Sequence, residues 1–507
     1  MGKSLVIAEK PSVAKEIAKN LKCRQNSDGY ISGDKYIVTW ALGHLVTLAD
    51  PEIYDDKYKT WNLESLPMVP KNMKLTVIKE TQKQFKTVRN LLKRTDVTEI
   101  IIATDAGREG ELVARWILIK ADCKKPLKRL WISSQTDKAI REGFLNLKLA
   151  KDYYNLFLSA EARAKADWLV GLNVTRALTC KYNVQLSAGR VQTPTLALIV
   201  QREQDIKNFR PQDYYIIKAE FNNFNAIYNN KNNQSRIFDK DTAEKILNDT
   251  KNKPAVISNV KKQYKHVPPP AAYDLTELQR DANKKYGYTA KQTLSFMQAL
   301  YERHKLLTYP RTDSRYITDD VANTISERLK SISIGKYKEF AVNLLKNKAY
   351  TTRYIVNNNK VTDHHAIIPT EEPVFLSKLS NEEKNIYDLV VLRFLAVLSA
   401  PFEYEETKLY INIGKELFTT KGKVIKSPGF KAIYNNYYNE NESDSDDDIK
   451  EQNLPMLNNG DKLQVKKCYL EQNKTKPPLR YTEATLLTAM ENPTNQVESK
   501  ESDSFSL

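Results

Sequence analysis

The sequence predicts a multidomain protein that combines a doubly wound α/β unit with α+β segments. Its 507 residues are enough for about three or four domains. Apolar strand patterns alternate with helical patterns through residues 1–148, which is typical of a parallel sheet with helices on both faces. Strand-like alternation at 214–221 and again at 406–413 flanks a helical region, so a β domain is predicted to be assembled from separated pieces.

Composition narrows the functional classes before any motif is considered. Lysine and arginine total 79 against 62 aspartate and glutamate, and this net charge of +17 fits a nucleic-acid partner and an ordinary lysine-rich protein equally well. The longest apolar stretch, 389–400, is interrupted by Arg393 and is shorter than the roughly 20 residues that a membrane-spanning helix needs. The four cysteines form no CxxC pair, so neither a zinc ribbon nor a disulfide framework is predicted, and a reducing cytoplasm fits.

Residues 1–148 can be assigned element by element. Strands are predicted at 4–8, 36–40, 98–104 and 129–133, and the third is apolar almost throughout, as expected of a strand buried on both faces. Pro11 and Ser12 are typical of a helix start, so a helix is predicted from there to Leu21. Further helices are predicted over 109–120 and from the fourth strand to about 145. Ligands of such sheets bind at the carboxyl ends of the strands.

The rest of the chain divides by pattern. A helical, alanine-rich stretch over 150–210 precedes strands over 211–265, and helices return from 272 to about 400. Three prolines at 268–270 mark a stiff boundary between these regions. Residues 440–451 carry seven acids and one lysine. That composition favours a solvated mobile loop over a phosphate mimic that competes with DNA for the basic surface.

Acidic side chains directly follow two of the predicted strands. Glu9 follows the first strand, and Asp105 and Glu109 follow the third. Because parallel strands end at the same edge of a sheet, these carboxylates can converge, and a hard divalent cation such as Mg²⁺ usually relieves their repulsion. A salt-bridge network with Lys10 and Arg108 explains the same residues equally well.

These residues lie in two motifs that resemble the TOPRIM domain of type IA DNA topoisomerases, and within that family the bacterial topoisomerase III enzymes. The motifs are Ala8-Glu9-Lys10-Pro11-Ser12 and Ala103-Thr104-Asp105 with Arg108-Glu109-Gly110-Glu111. The resemblance implies that Glu9, Asp105 and Glu109 hold Mg²⁺. It also implies that Glu9 belongs to the catalytic set and that Lys10 protonates the leaving 3′ oxygen. The family has a second aspartate where this chain has Gly107, which removes one candidate ligand.

The segment Leu306-Leu-Thr-Tyr309-Pro310-Arg311-Thr312-Asp313-Ser314 resembles the catalytic tyrosine motif of the same family. A phenol with a pKa of about 10 is a weak nucleophile at neutral pH, and Arg311 can offset charge on the phenolate and on the phosphate it attacks. The resemblance implies that Tyr309 attacks single-stranded DNA, becomes linked to the 5′ phosphate and later reseals the strand. No ATP is required, and no Walker-A sequence is present. Because the chain has 28 tyrosines, a structural role is the alternative for Tyr309 taken alone.

Two further blocks, 162–176 and 187–195, and the paired histidines after residue 363 also resemble family stretches. Their arginines are predicted to contact phosphates, and the first histidine is predicted to lie near the scissile phosphate. Two tryptophans are predicted either to stack on single-stranded bases or to pack in the core. The predicted DNA-contacting set is Trp61, Arg163, Trp168, Arg176, Ser187, Ala188, Gly189, Arg190, Val191, Gln192 and His364.

The resemblance also implies an architecture. A TOPRIM domain is expected at 1–148, a helical DNA-binding domain at 149–210 plus 473–507, and a β arch at 211–271 plus 401–472 that carries the acidic loop 439–451. A winged-helix-like domain with the catalytic tyrosine is expected at 272–400, and together these domains form a toroidal core. The resemblance ends near residue 493, where family members continue with another helical segment. The helical domain is therefore expected to be incomplete and the chain to be truncated.

The leading hypothesis is a type IA enzyme of the topoisomerase III type, which relaxes negative supercoils or decatenates DNA. It is expected to act as a monomer on DNA in the bacterial cytoplasm, near nucleoid or plasmid, with no membrane and no ATP. The first alternative is a truncated, catalytically weak remnant that only binds single-stranded DNA. A TOPRIM nuclease or primase is a third class, which would not depend on Tyr309.

Overall fold

The computed structural model describes residues 2–133, 135–346, 349–361, 364–435 and 452–491. The predicted acidic loop 439–451 and the end of the predicted helical domain, 492–507, lie outside these residues. The strands of the N-terminal third are β1 (Lys3–Ala8), β2 (Gln25–Ser27), β3 (Tyr30–Ser32), β4 (Tyr36–Trp40), β5 (Val46–Leu48), β6 (Leu75–Val77), β7 (Val97–Ala103), β8 (Leu127–Arg129) and β9 (Lys148–Leu149). Seven of them form one sheet in the order β2-β3-β4-β1-β7-β8-β9, while β5 and β6 pair separately.

The centre of this first sheet is parallel and is covered on both faces. Strand β1 runs parallel to β4 and β7, and β7 runs parallel to β8. Alternate residues of β1 enter different cores, with Leu5 on one face and Val6 on the other, as the two-residue period of a strand requires. The covering helices are α1 (Pro11–Asn20), α2 (Gln82–Lys93), α3 (Arg108–Lys120) and α4 (Asp137–Leu145). Helices α2 and α3 pack on the face of Leu5, and α1 and α4 on the face of Val6.

The fourth predicted strand is displaced from its expected position. It was expected at 129–133, but β8 ends at Arg129. The residues that follow leave the sheet because they pack elsewhere. The Trp131 ring stacks on Tyr153 with the ring centroids 4.3 Å apart, and the carbonyl of Ser133 accepts a hydrogen bond from the backbone of Tyr309. This departure connects the first sheet to the helical region around residue 309.

Two long helices follow the first sheet, α5 (Tyr154–Tyr182) and α6 (Gln192–Asn208). Helix α5 packs on α3 through its first turns, where Phe157 and Ala160 are buried. Farther along α5 most side chains are half-buried, and throughout α6 most are exposed; the exposed ones include apolar residues such as Val174 and Leu196. Within the described residues, these helices therefore carry an apolar face that is only partly covered.

A second sheet is built from two separated stretches of the chain. Its elements are β10 (Asp213–Glu220), β11 (Asn225–Tyr228), helix α7 (Lys240–Thr250), β12 (Ala255–Val267), β13 (Phe402–Ile413), β14 (Glu416–Ser427), β15 (Lys462–Leu463) and β16 (Lys467–Lys474). All strand pairs are antiparallel, in the order β15-β12-β13-β14-β11-β10-β16. One face of this sheet carries the core formed by Ile217, Leu409, Phe418 and their neighbours.

The helical region between β12 and β13 has its own core. Its helices are α8 (Leu275–Tyr286), α9 (Ala290–Gln298), α10 (Asp319–Ala322), α11 (Ile325–Ser331), α12 (Lys338–Leu345) and α13 (Asn381–Val397), with α14 (Lys431–Asn435) and α15 (Glu483–Glu491) packed against them. A π-helical turn, Ala299–Arg303, extends α9. Helix α13 is buried over most of its length and forms the centre of this core. No helix in the described ranges is long and apolar enough to cross a membrane.

Candidate active site

Tyr309 lies where the helical region meets the carboxyl edge of the first sheet. Its hydroxyl donates a hydrogen bond of 3.4 Å to Oδ2 of Asp105, although the two residues are 204 positions apart. The ring is only 7% exposed, stacks on His364 with the ring centroids 4.1 Å apart, and meets the edge of Tyr301 at 5.4 Å. The backbone N–H of Tyr309 donates to the carbonyl of Ser133 at 3.0 Å. The phenol is therefore held between the two halves of the molecule.

The local fold around Tyr309 explains why a histidine reaches it. The segment before the tyrosine pairs with the segment after His364. Leu307 forms an isolated antiparallel bridge with Pro369, and the backbone N–H of Thr308 donates to the carbonyl of Ile368 at 3.0 Å. This pairing places the His364 ring against the phenol without any sequence proximity.

Glu9 and Asp105 meet because their strands are adjacent and in register. Ala8 of β1 pairs with Ala103 of β7, so the residues just beyond both strands share one edge. The backbone N–H of Asp105 donates to Oε2 of Glu9 at 3.1 Å. Burial, and then the nearby charge of Glu9, raises the pKa of Asp105 to about 7. The two carboxylates thus face each other in a poorly solvated place.

Basic groups surround this carboxylate pair. Nζ of Lys10 lies 2.7 Å from Oε1 of Glu302, a residue of the π-helical turn before the tyrosine. Burial acts against the charged ammonium, but Glu302, Asp105 and Glu9 together outweigh it and raise the pKa of Lys10. The exposed Arg311 acts on the phenol by charge. Burial and then Asp105 raise the pKa of Tyr309 well above its ordinary value, and Arg311 counteracts part of that rise.

His364 is buried beside the phenol and is neutral. Burial, and then the neighbouring His365, lowers the pKa of His364 to about 3. Its Nδ1 is 3.1 Å from Oγ of Ser133, whereas Nε2 has no hydrogen-bond partner among the described residues. On its other side the ring stacks on Trp131 with the ring centroids 6.1 Å apart. A polar atom with no partner at such a position suits a group that accepts or donates to substrate.

The donor set at this edge fits a divalent cation with two protein ligands. Mg²⁺ is commonly bound through one or two carboxylates and retains several waters. Burial, and then repulsion from Glu9, raises the pKa of Asp105, and a bound cation would offset that repulsion. Among the described residues no group of three or more acidic, histidine or cysteine side chains is arranged to hold a metal. Glu9 and Asp105 are the residues suited to the ion.

Glu109, the third predicted ligand, does not join this pair. It lies in the first turn of α3, half-exposed, with Oε1 3.9 Å from Nη1 of Arg163 on α5. This side of α3 faces a cleft of about 330 Å³ between the first sheet and α5, because α3 packs on that helix. The structure thus brings Glu9 and Asp105 together without Glu109, which is the second residue of α3, so a role for Glu109 as a ligand stays a prediction.

The last acid of the motif, Glu111, has a structural role that the sequence analysis did not predict. It is fully buried and accepts hydrogen bonds of 2.7 Å from Nε of Arg129 and from Nε of Arg115. Arg129 in turn donates to the carbonyls of Thr104 at 2.8 Å and Asp105 at 2.6 Å. The Glu111–Arg129 pair therefore fixes the strand end that presents Asp105. The only signal in the sequence was an arginine at the start of the fourth predicted strand.

Three of the predicted DNA-contacting residues lie around the cleft beside α5. Arg163 and Trp168 line it, together with Asp167. Nε of Arg190 donates to Oδ1 of Asp167 at 2.7 Å, which places a second exposed guanidinium there. Trp168 is half-buried, and its Nε1 donates to the carbonyl of Ala49 at 3.0 Å, so much of the ring is used for packing. Trp61 lies elsewhere and is 44% exposed.

Arg176 is not available to a phosphate in this conformation. Its side chain is 4% exposed, Nη1 donates to the carbonyl of Tyr58 at 2.7 Å, and the guanidinium lies 5.0 Å from the ring centre of Trp61. In this conformation Arg176 has a structural role, and its contact with a phosphate stays a prediction. In the neighbouring block Ala188 is buried, whereas most of the others are exposed: Ser187, Arg190, Val191 and Gln192. Gly189 is half-buried.

Comparison with known proteins identifies the family. Residues 4–135 match the family described as "Toprim domain", and residues 151–494 match the family described as "DNA topoisomerase". DNA topoisomerase 3 of Bacillus licheniformis is 54% identical over 494 residues, which cover 97% of this chain and 67% of that protein. DNA topoisomerase 3 of Bacillus subtilis is 53% identical over 502 residues, covering 99% of this chain and 69% of that protein.

A solved structure supports the same fold. Full-length topoisomerase I from Thermotoga maritima aligns with a TM-score of 0.70 and 26% identity, covering 96% of this chain and 75% of that one. The match at 151–494 separates this chain from other proteins with a Toprim domain, and the relatives favour the enzyme over the DNA-binding remnant. Metal binding is typical of Toprim domains, and residues 4–135 form one. The chain therefore belongs to the type IA DNA topoisomerases and is a topoisomerase III-like isomerase that acts on DNA.

Proposed function

We propose that this topoisomerase cuts one DNA strand through Tyr309, lets another strand pass and reseals the cut, without ATP. The observation that carries the assignment of the nucleophile is the 3.4 Å contact between the Tyr309 hydroxyl and Asp105. It is supported by Arg311 two residues on, whose charge favours the phenolate. The substrate at the cleavage site is single-stranded DNA. The enzyme works as a monomer in the bacterial cytoplasm on nucleoid or plasmid DNA. Its relatives in Bacillus species support the bacterial setting.

The reaction is a transesterification in which the bonds balance. Tyr309 Oη forms a bond to the phosphorus while the bond from phosphorus to the 3′ oxygen breaks, so one phosphoester replaces another. The phenol proton leaves toward Oδ2 of Asp105, which lies within hydrogen-bond reach, and Lys10 supplies a proton to the 3′ oxygen. Resealing is the reverse: the 3′ hydroxyl attacks the phosphotyrosine and the phenol is released.

Glu9 and Asp105 are the residues that hold Mg²⁺ in this proposal. When bound, the ion supplies positive charge that stabilises the charge developing on the phosphate. Lys10, kept beside the pair by Glu302, orients the leaving oxygen. The neutral His364 ring keeps the phenol in place, and its Nε2, which has no partner within the described part of the chain, can donate to or accept from the substrate.

Substrate entry requires the two halves of the site to separate. At 3.4 Å, no phosphate fits between the Tyr309 hydroxyl and Asp105. Side-chain pairs that are partly exposed join the two halves, such as Lys305 to Glu16 at 2.5 Å and Lys138 to Glu327 at 3.3 Å. Pairs of this kind contribute little individually, so a DNA strand can replace them at modest cost.

The test uses a single-stranded oligonucleotide labelled at its 3′ end, incubated with the protein and Mg²⁺ and then denatured. A covalent adduct that carries the label is expected, because the fragment with the 5′ phosphate stays on the tyrosine. Tyr309→Phe should form no adduct, whereas Tyr316→Phe, a half-buried tyrosine of the same segment, should form it normally. Normal adduct in Tyr309→Phe, or free 5′ ends without an adduct, would exclude the proposed nucleophile.

A further inference from the structure

Three lysines lie side by side across the second sheet. Lys261 of β12 is paired directly with Lys408 of β13, and Lys408 is paired directly with Lys421 of β14. Directly opposite residues of antiparallel strands project from the same face, and neighbouring strands lie about 4.8 Å apart. The three ammonium groups therefore leave the sheet together; we call Lys261, Lys408 and Lys421 the lysine row.

The lysine row points away from the core of the sheet. The neighbouring register, Val260 opposite Leu409, belongs to the opposite face, where Leu409 is fully buried. That face is also covered at Gly422, where an added Cβ would meet the backbone of Gln452 and the side chain of Leu454. Because residues alternate between faces along a strand, the row is on the outer side. Lys261 is exposed there.

The outer face is strongly positive beyond the row itself. Two residues along each strand, the next register brings Lys423 opposite Glu406, and Lys265 follows in the register after that. These three registers hold five lysines and one glutamate, and Nζ of Lys265 lies 3.7 Å from Oε1 of that glutamate. Like charges that face each other across strands destabilise a sheet. The exposed Lys261 directly opposite Lys408 therefore favours a polyanionic partner over a contribution to folding.

We propose that the lysine row binds the phosphate backbone of DNA on the outer face of the second sheet, away from the carboxylate pair that faces Tyr309. The proposal rests on the DNA-directed function above and adds a contact surface to it. Lysine side chains are long and flexible, so they can follow successive phosphates without reading the bases. Tyr410, two residues from Lys408 on the same face, offers a ring to an unpaired base, and Nζ of Lys408 lies 5.3 Å from its centre.

The salt dependence of DNA binding measures this contact directly. Each phosphate neutralised by a lysine contributes about −0.9 to the slope of log K against log salt concentration for duplex DNA, and about −0.7 for single strands. Lys261→Gln should therefore reduce the magnitude of the slope by about 0.9 if the lysine row binds duplex DNA and by about 0.7 if it binds a single strand. Lys261→Gln combined with Lys408→Gln should reduce the slope by about twice that amount.

Lys262→Gln is the matched control. It removes the same charge at the adjacent position of β12, but its side chain projects from the opposite face. The slope for Lys262→Gln should equal that of the unmodified chain, and circular dichroism checks that all variants fold. Equal slopes for Lys261→Gln and Lys262→Gln, whether both reduced or both unchanged, would overturn the proposal.

Adduct formation on a short oligonucleotide at low salt separates this proposal from the one on Tyr309. It should be the same in the lysine variants and in the unmodified chain, because the row lies outside the cleavage site. An adduct that persists in Tyr309→Phe would remove the proposed nucleophile and leave the salt measurements valid. If the lysine variants kept the salt slope of the unmodified chain while the adduct still required Tyr309, only the proposal that the lysine row binds DNA would be refuted.

Discussion

Glu111→Gln tests how the first sheet presents Asp105. The Glu111 carboxylate is fully buried and is shared by two guanidinium groups, those of Arg129 and Arg115, each at 2.7 Å. Glutamine has nearly the same volume, so the substitution removes the charge without opening a cavity. Arg129 is itself fully buried, and its positive charge would then lack the carboxylate that now offsets it.

The expected magnitude follows from burial. Removing one partner of a buried ion pair costs about 3–5 kcal/mol, because the remaining charge stays in a medium of low dielectric. For a cooperative unit of about 150–250 residues, each kcal/mol lowers the Tm by about 2–4 °C, so we expect a loss of about 6–20 °C. Arg129 also holds the carbonyl of Asp105, at 2.6 Å, so the yield of covalent adduct should fall as well.

The assay is a thermal melt of the unmodified chain, Glu111→Gln and a control in the same sheet. Glu99→Gln is a suitable control, because Glu99 pairs with Lys128 at 3.0 Å and with Ser4 at 2.7 Å but is partly exposed to solvent. Exposed ion pairs contribute about 0–1 kcal/mol, so its Tm should change by less than about 4 °C. If Glu111→Gln lowered the Tm no more than Glu99→Gln does, the buried cluster would not stabilise the sheet.

Three further predictions concern pH, the active site and the cleft. Burial lowers the pKa of His365 to about 4, so between that pH and about 6.5 the unfolded chain binds more protons than the folded one. The free energy of unfolding measured in urea should therefore decrease as the pH is lowered through this window, and His365→Asn should make that decrease smaller. Glu302→Gln should lower the adduct yield about tenfold or more by releasing Lys10, with unchanged oligonucleotide affinity. Glu16→Gln, at the same interface, should leave the adduct yield unchanged. If both variants lost the same fraction of the adduct, Glu302 would not act by positioning Lys10. Arg176→Gln should lower the Tm and leave the salt slope of DNA binding unchanged. A reduced slope would instead indicate that Arg176 contacts a phosphate.

Much of the candidate site could be predicted because strand ends are local features. An apolar run marks a buried strand, and the polar residue after it lies at the edge of the sheet, which is where the structure has both Glu9 and Asp105. The family and the fold class likewise followed from short motifs around Glu9, Asp105 and Tyr309, and the comparisons confirm both. These features could be predicted because they depend on residues that are close together in the sequence.

Other features of the site depend on which elements pack together. Glu109 and Glu111 lie two residues apart on α3, yet one faces the cleft beside α5 and the other is buried against Arg129. The sequence predicts that Glu109 and Glu111 point to different sides of the helix, but it does not predict which segments pack against each side. Similarly, Glu302 contacts Lys10, 292 positions away in the sequence, from a π-helical turn that no residue pattern predicted.

The sequence by itself determined the family, the order of the elements and the chemical identity of the groups that can react. Only the tertiary structure decided which of those groups meet: Tyr309 with Asp105, Glu302 with Lys10, and the lysine row across β12, β13 and β14. The reason is physical. Periodicity and motifs record the interactions of a residue with its close neighbours in the chain, whereas strand register and domain contacts are set by packing between segments that can lie far apart in the chain.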